Sequence, residues 1–190
     1  FRVSNSYGLP SPTTSPLASP TGITVTAQTY PISVGGGGAG GPHVPSAPGI
    51  SKGSAGSNSV FSTITSAGGG YGASGHNINA FPGGDEGGPG GSGGGGMGAN
   101  PINPAGGGEP SLTGVGGNGN TPPVSPPQGN PGGAGVDGYA QYHASAGGGG
   151  AGAAGTNSPA HNQPPGPGRY AGPGGVGSYV SPSLAVGCAG

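Results

Sequence analysis

The chain has 190 residues, of which 53 are glycine and 24 proline, with a formal charge of −1 and charged residues at 4%. Only 28% of the residues are hydrophobic and none is tryptophan, so an oily core of ordinary size cannot be assembled. Three cations also exclude an electrostatic footprint for nucleic acid or an anionic membrane, and no apolar run reaches the ~20 residues of a membrane helix. Low charge further argues against a soluble coil, because chains that stay unfolded and dispersed usually carry high net charge.

Residues 1–22 are rich in Pro, Ser and Thr. Prolines at 10, 12, 16 and 20 forbid helix and favour extended backbone, so this stretch is expected to be an arm or linker ahead of a glycine-rich domain over 23–190. Because it begins at Phe1, the chain is expected to be a processed product or a piece of a longer polypeptide.

The first strand signal follows. Ile23 with Val25, then Tyr30, Ile32 and Val34, alternate as in a half-buried strand, and Pro31 confines it to an edge or a bulge. SVFSTIT from Ser59 predicts a second strand, with Val60, Phe61 and Ile64; VGSYV from Val176 predicts a weaker third. These few apolar side chains suffice only for small caps.

The bulk must come from glycine. Its clumps read VGGGGAGG from Val34, GGDEGGPGGSGGGGMG from Gly83 and GGGGAGAAG from Gly147. Glycine costs about 1 kcal/mol per residue in a helix interior and weakens strands. Extended glycine can instead form a left-handed threefold helix with ~3.1 Å rise and no internal hydrogen bonds. Such helices pair through the backbone when they lie side by side, which satisfies the rule that buried N–H and C=O groups need partners. The predicted fold is therefore irregular: a polyglycine II/polyproline II helix bundle, or sandwich, with a few short β-strands and almost no α-helix.

Threefold geometry predicts glycine at every third position of a buried face. Four registers qualify: Gly84, Gly87, Gly90, Gly93 and Gly96; Gly129, Gly132, Gly135 and Gly138; Gly69, Gly72 and Gly75; and Gly149, Gly152 and Gly155. Strict Gly-X-Y is absent, which excludes collagen. Turn-formers such as NPINPAG from Asn100 and NSPAHNQPPGPG from Asn157 separate the clumps, giving helices linked by reversals.

Enzyme chemistry finds no foothold. G-x-G-x-x-G patterns arise from composition alone, with no G-K-[ST] beside them, so no cofactor is expected. Asp85 and Glu86 read as solvated turn charges, and His43, His76, His143 and His161 lack metal-ligand spacing. A single cysteine, Cys188, allows no internal disulfide.

Aromatic residues between the glycine runs are the better candidates for contact. Tyr71, His76 and Phe81 occupy one loop, Asp137, Tyr139, Tyr142 and His143 a second, and Arg169 and Tyr170 a third. Tyrosine gives large contact area at low entropy cost, so these nine residues are candidate receptor or partner contacts. The competing reading is that their rings cover the glycine scaffold.

In order along the chain, VTAQTYPISVGGGGAGG from Val25, GSNSVFSTITSAGGGYG from Gly56, GGSGGGG from Gly90, PPQGNPGGAG from Pro126, AGGGGAGAAGTN from Ala146 and GPGGVGSYVSPS from Gly172 resemble the glycine-rich domain of phage and viral structural proteins. That family includes tail-fibre and T-even-type tail-tip adhesins, whose glycine motifs form a sandwich of polyglycine II helices with receptor-binding loops between them. The resemblance implies a virion structural module on the virion surface or outside the cell, with a host-surface receptor or a neighbouring virion protein as partner. A self-assembling extracellular fibre is the alternative that composition allows; ice binding and complete disorder are weaker ones.

Overall fold

The computed structural model describes residues 24–42, 52–74, 86–98, 114–135, 145–159 and 171–178. No helix occurs among them. The regular strands are β1 (Ile32–Ser33), β2 (Ser59–Phe61) and β3 (Ile64–Ser66). They form one antiparallel sheet in the order β1-β2-β3, with Ile32 opposite Phe61 and Phe61 opposite Ile64. SVFSTIT is thus a hairpin rather than one strand. Ser62 takes the first loop position with φ 52° and donates its N–H to the Pro31 carbonyl.

Pro31 does adjoin an edge strand, but β1 is only two residues long and is not half-buried. Val25, Ile32 and Val34 are 60%, 69% and 84% exposed. Among the described residues no second layer covers β1, so the alternation has nothing to bury against. What remains of the apolar cap is a stacked pair, Tyr30 on Phe61, with ring centroids 5.4 Å apart. Residues 171–178 contain no strand, and Val176 is 65% exposed.

The rest is a bundle of extended glycine runs joined by backbone hydrogen bonds, and those bonds advance by three residues on both partners. Gly93 and Gly96 donate to Asn130 and Gly133; Gly87 and Gly90 donate to Val115 and Asn118. Antiparallel pairs keep the same step: Gly132 and Gly135 donate to Gly117 and Gly114, and Ala146 and Gly149 to Gly96 and Gly93. A β-ladder advances by two residues, so a step of three is the mark of threefold, polyglycine II-type helices.

Glycine is required here for space. Gly93 and Gly94 do not have φ in the left-handed region, yet a Cβ on Gly94 would stand 1.8 Å from the Tyr71 carbonyl oxygen. On Gly93 it would stand 1.8 Å from the Gly117 oxygen. At these positions the runs pack backbone on backbone, and no side chain fits between them.

The buried core follows the 92–98 run, where Gly93, Gly94, Gly96 and Gly98 are all buried. The largest buried side chain is Gln128, 1% exposed. It accepts from the Ala67 N–H through Oε1 and donates from Nε2 to the Pro122 carbonyl. Asn120, at φ 50°, organises the same loop: its Oδ1 accepts from the Val124 and Gln128 amides, and its Nδ2 donates to the Val124 carbonyl.

Three of the expected glycine registers need correcting. Gly69 and Gly72 do not face inward; both are exposed, with open space where a Cβ would be. Gly70 and Ala73 donate inward from that run instead. The register from Gly87 to Gly96 is split by a bend at 90–92, so that Gly87 and Gly90 serve one neighbour and Gly93 and Gly96 another. Gly149 and Gly155 lie on antiparallel legs, because the chain reverses at 151–153 and Gly150 donates to Ala153. Gly132 and Gly135 pair as expected; Gly75, Gly84 and Gly138 lie outside the described residues.

Candidate functional site

Of the nine candidate contact residues, Tyr71 is described. His76, Phe81, Asp137, Tyr139, Tyr142, His143, Arg169 and Tyr170 lie outside the described residues, as do Asp85 and the four histidines. Tyr71 is half-buried, and its ring packs against Gly88: a Cβ there would be 2.4 Å from Cδ1 and Cε1. Lys52 Nζ sits 5.7 Å from the ring centroid on a neighbouring run, within cation–π range. The Tyr71 carbonyl accepts from the Gly88 N–H at 2.7 Å. This tyrosine therefore ties three glycine runs together.

A groove of about 500 Å³ runs beside the central 92–98 run. Gly70, Gly72 and Ala73 form one wall and Ala146, Gly148 and Gly149 the other, with Ser92 to Met97 as the floor. The lining contains no acid, base or thiol. It offers backbone N–H and C=O groups, small side chains, Met97, and the hydroxyls of Ser92 and Ser145. Such a surface can recognise an extended backbone at close range, since the glycines leave both walls free of bulk.

Order around the floor explains why the groove exists. The central run is bonded to five other runs: 67–74, 86–90, 114–118, 130–135 and 145–150. Consecutive members of that series are also bonded to one another. Gly88 and Gly91 donate to Tyr71 and Gly68, Gly87 to Val115, Gly132 to Gly117, and Gly133 to Gly147. The ring fails to close between 145–150 and 67–74, which share no backbone hydrogen bond among the described residues. The groove is that gap.

Sequence reasoning missed this site. Glycine clusters signal threefold helices, but the gap depends on which run lies beside which, and that is set by reversals. Gln128 was better signposted, as a polar side chain set between PP and GNPGG. No metal-holding cluster of His, Cys, Asp or Glu occurs among the described residues. Nor is any helix there long and apolar enough to cross a membrane.

A family model described as a glycine-rich domain matches residues 11–190, so the chain belongs to the glycine-rich domain family. No curated protein and no solved structure matches the chain.

Proposed function

We propose that this member of the glycine-rich domain family is a non-enzymatic structural and adhesion module of a virion, a tail-fibre, spike or decoration domain at the virion surface or outside the cell. The observation that supports it most is the scaffold itself. Three-residue backbone pairing around Gly93, Gly94 and Gly96 gives a rigid body without an oily core. Adhesion needs a fixed platform whose intervening segments can vary freely, and here packing depends on glycine backbone rather than on those segments.

The partner is then a host-surface receptor or a neighbouring virion protein, met by aromatic residues between the runs, chiefly Tyr139, Tyr142 and Tyr170. Tyr71 contributes indirectly, by holding 67–74 against 86–90. The test is binding of the labelled full chain to a panel of bacterial surfaces and purified virions. Saturable binding that falls about tenfold in Tyr139→Ala/Tyr142→Ala is expected. Absence of binding to every surface, or binding indifferent to those tyrosines, overturns the adhesion reading.

The alternative, a self-assembling extracellular fibre, has its own support in the open glycine edge at 35–41, where Gly36, Gly37 and Gly40 are exposed.

A further inference from the structure

The bonds from the central run to its five neighbours alternate in polarity. Proceeding round the ring, the carbonyls of Ser92 and Gly95 accept from Gly70 and Ala73, and the N–H of Gly94 donates to Gly88. The carbonyl of Gly94 then accepts from Gly117, the N–H groups of Gly93 and Gly96 donate to Asn130 and Gly133, and their carbonyls accept from Gly149 and Ala146. The sequence is acceptor, donor, acceptor, donor, acceptor. A sixth partner would meet donors, and the register left over is the N–H of Ser92 and of Gly95. Neither amide makes a hydrogen bond among the described residues.

The walls are complementary. In the 67–74 run the carbonyls of Gly68 and Tyr71 are taken by Gly91 and Gly88, and that of Gly69 by Gly56, while those of Gly70, Gly72 and Ala73 have no hydrogen-bond donor among the described residues. In 145–150 the carbonyls of Ser145 and Gly148, and of Gly147 and Gly150, are taken, leaving Ala146 and Gly149. Ala146 oxygen lies over the groove floor, 2.2 Å from where a Gly95 Cβ would be. The gap thus asks for a threefold glycine strand that presents carbonyls to the floor and N–H groups to the walls.

We propose that the occupant is the 35–41 run of a second copy of this chain. That run is bonded on one side only: Ser57 and Ser54 donate to Gly36 and Ala39, and the hydroxyls of Ser59 and Ser54 accept from Gly35 and Ala39. The carbonyls of Gly37 and Gly40 take no hydrogen bond among the described residues and are three residues apart, the spacing of Ser92 and Gly95. A Cβ on Gly36, Gly37 or Gly40 would meet nothing within 4 Å, so the outer side is open to close approach. Donor and acceptor surfaces sit at different places on the molecule, so the contact is head-to-tail and extends into a filament or closes into a ring. The proposal rests on the glycine scaffold and not on host adhesion.

Open positions supply the test. Gly72→Val fills the groove and Gly37→Val blocks the edge; both sites have free space, as does the control Gly177→Val. Sedimentation velocity of the full chain over a wide concentration range should show wild type and Gly177→Val assembling. Gly72→Val and Gly37→Val should each associate about tenfold or more weakly, with amide protection of the central run retained. Mixed, the two blocked variants should form a 1:1 pair and nothing larger, since one keeps the edge and the other the groove. Wild type that stays monomeric throughout overturns the proposal, as does unchanged assembly in either variant. Lost cell binding with assembly intact removes only the adhesion reading.

Discussion

Adding one methyl group at Gly94 isolates the close approach of backbones from every other property of the bundle. The methyl would stand 1.8 Å from the Tyr71 oxygen, which has to open to at least 3.4 Å for ordinary contact. No flexible side chain can yield, because the obstacle is main chain. Opening the gap strains bonds that share these atoms: Gly88 N–H to Tyr71 at 2.7 Å, Gly94 N–H to Gly88 at 2.9 Å and Gly117 N–H to Gly94 at 2.7 Å. Gly88, Gly94 and Gly117 are all buried, so groups that lose partners do not regain water. At about 1–3 kcal/mol per orphaned group, two groups left without partners place Gly94→Ala at roughly 2–6 kcal/mol of destabilisation. That is a large part of a typical domain's ~5–15 kcal/mol. The same change at exposed Gly72, with nothing within 4 Å, should stabilise by about 0.4–1 kcal/mol by restricting the unfolded chain. Urea unfolding followed by tyrosine fluorescence measures both. Equal stabilities for Gly94→Ala and Gly72→Ala would refute backbone close-packing as the source of the fold.

Three further outcomes follow from single side chains. Gln128→Leu removes the partner of the half-buried Ala67 N–H and of the Pro122 carbonyl, which sits where water can reach it, and should cost about 1–3 kcal/mol in the same titration. Asn120→Ala loses the Val124 and Gln128 hydrogen bonds and also strains a backbone at φ 50°; Asn120→Gly relieves the strain alone, so it should fall between wild type and alanine. The Tyr30 phenol is held below its ordinary 10.0 by the Thr26 side chain, then by the Thr26 N–H, with a smaller contribution from Gln28. A depressed pKa means this group adds stability above pH 10.0 and loses it as pH falls through the folded value. NMR titration of the Tyr30 ring should move upward in Thr26→Val, and an unchanged midpoint would remove the Thr26 hydroxyl as the leading cause.

Glycine and proline content made the class of fold legible, because no helix or packed strand can be built from runs such as GGSGGGG at Gly90. Val60, Phe61 and Ile64 marked the sheet, but the turn at Ser62 and Thr63 was hidden in a sequence with no glycine or asparagine at the bend. Registers were legible where a run continues straight, as at Gly132 and Gly135, and illegible where it bends at 90–92 or reverses at 151–153. Outward Gly72 and inward Gly94 are the same residue type, and only neighbouring runs tell them apart. For that reason the groove could not be read from composition, whereas the scaffolding part played by Tyr71 was one of the two readings its loop allowed.

Residue-resolved amide exchange on the dilute, monomeric chain tests the threefold bundle most directly. Slow exchange is predicted at Gly93, Gly94 and Gly96, and at Gly117 and Gly133, with fast exchange at Ser92 and Gly95 within the same run and at exposed Gly69 and Gly72. Protection that alternates residue by residue would mean β-ladders, and uniformly fast exchange would mean no bundle; either result contradicts the account.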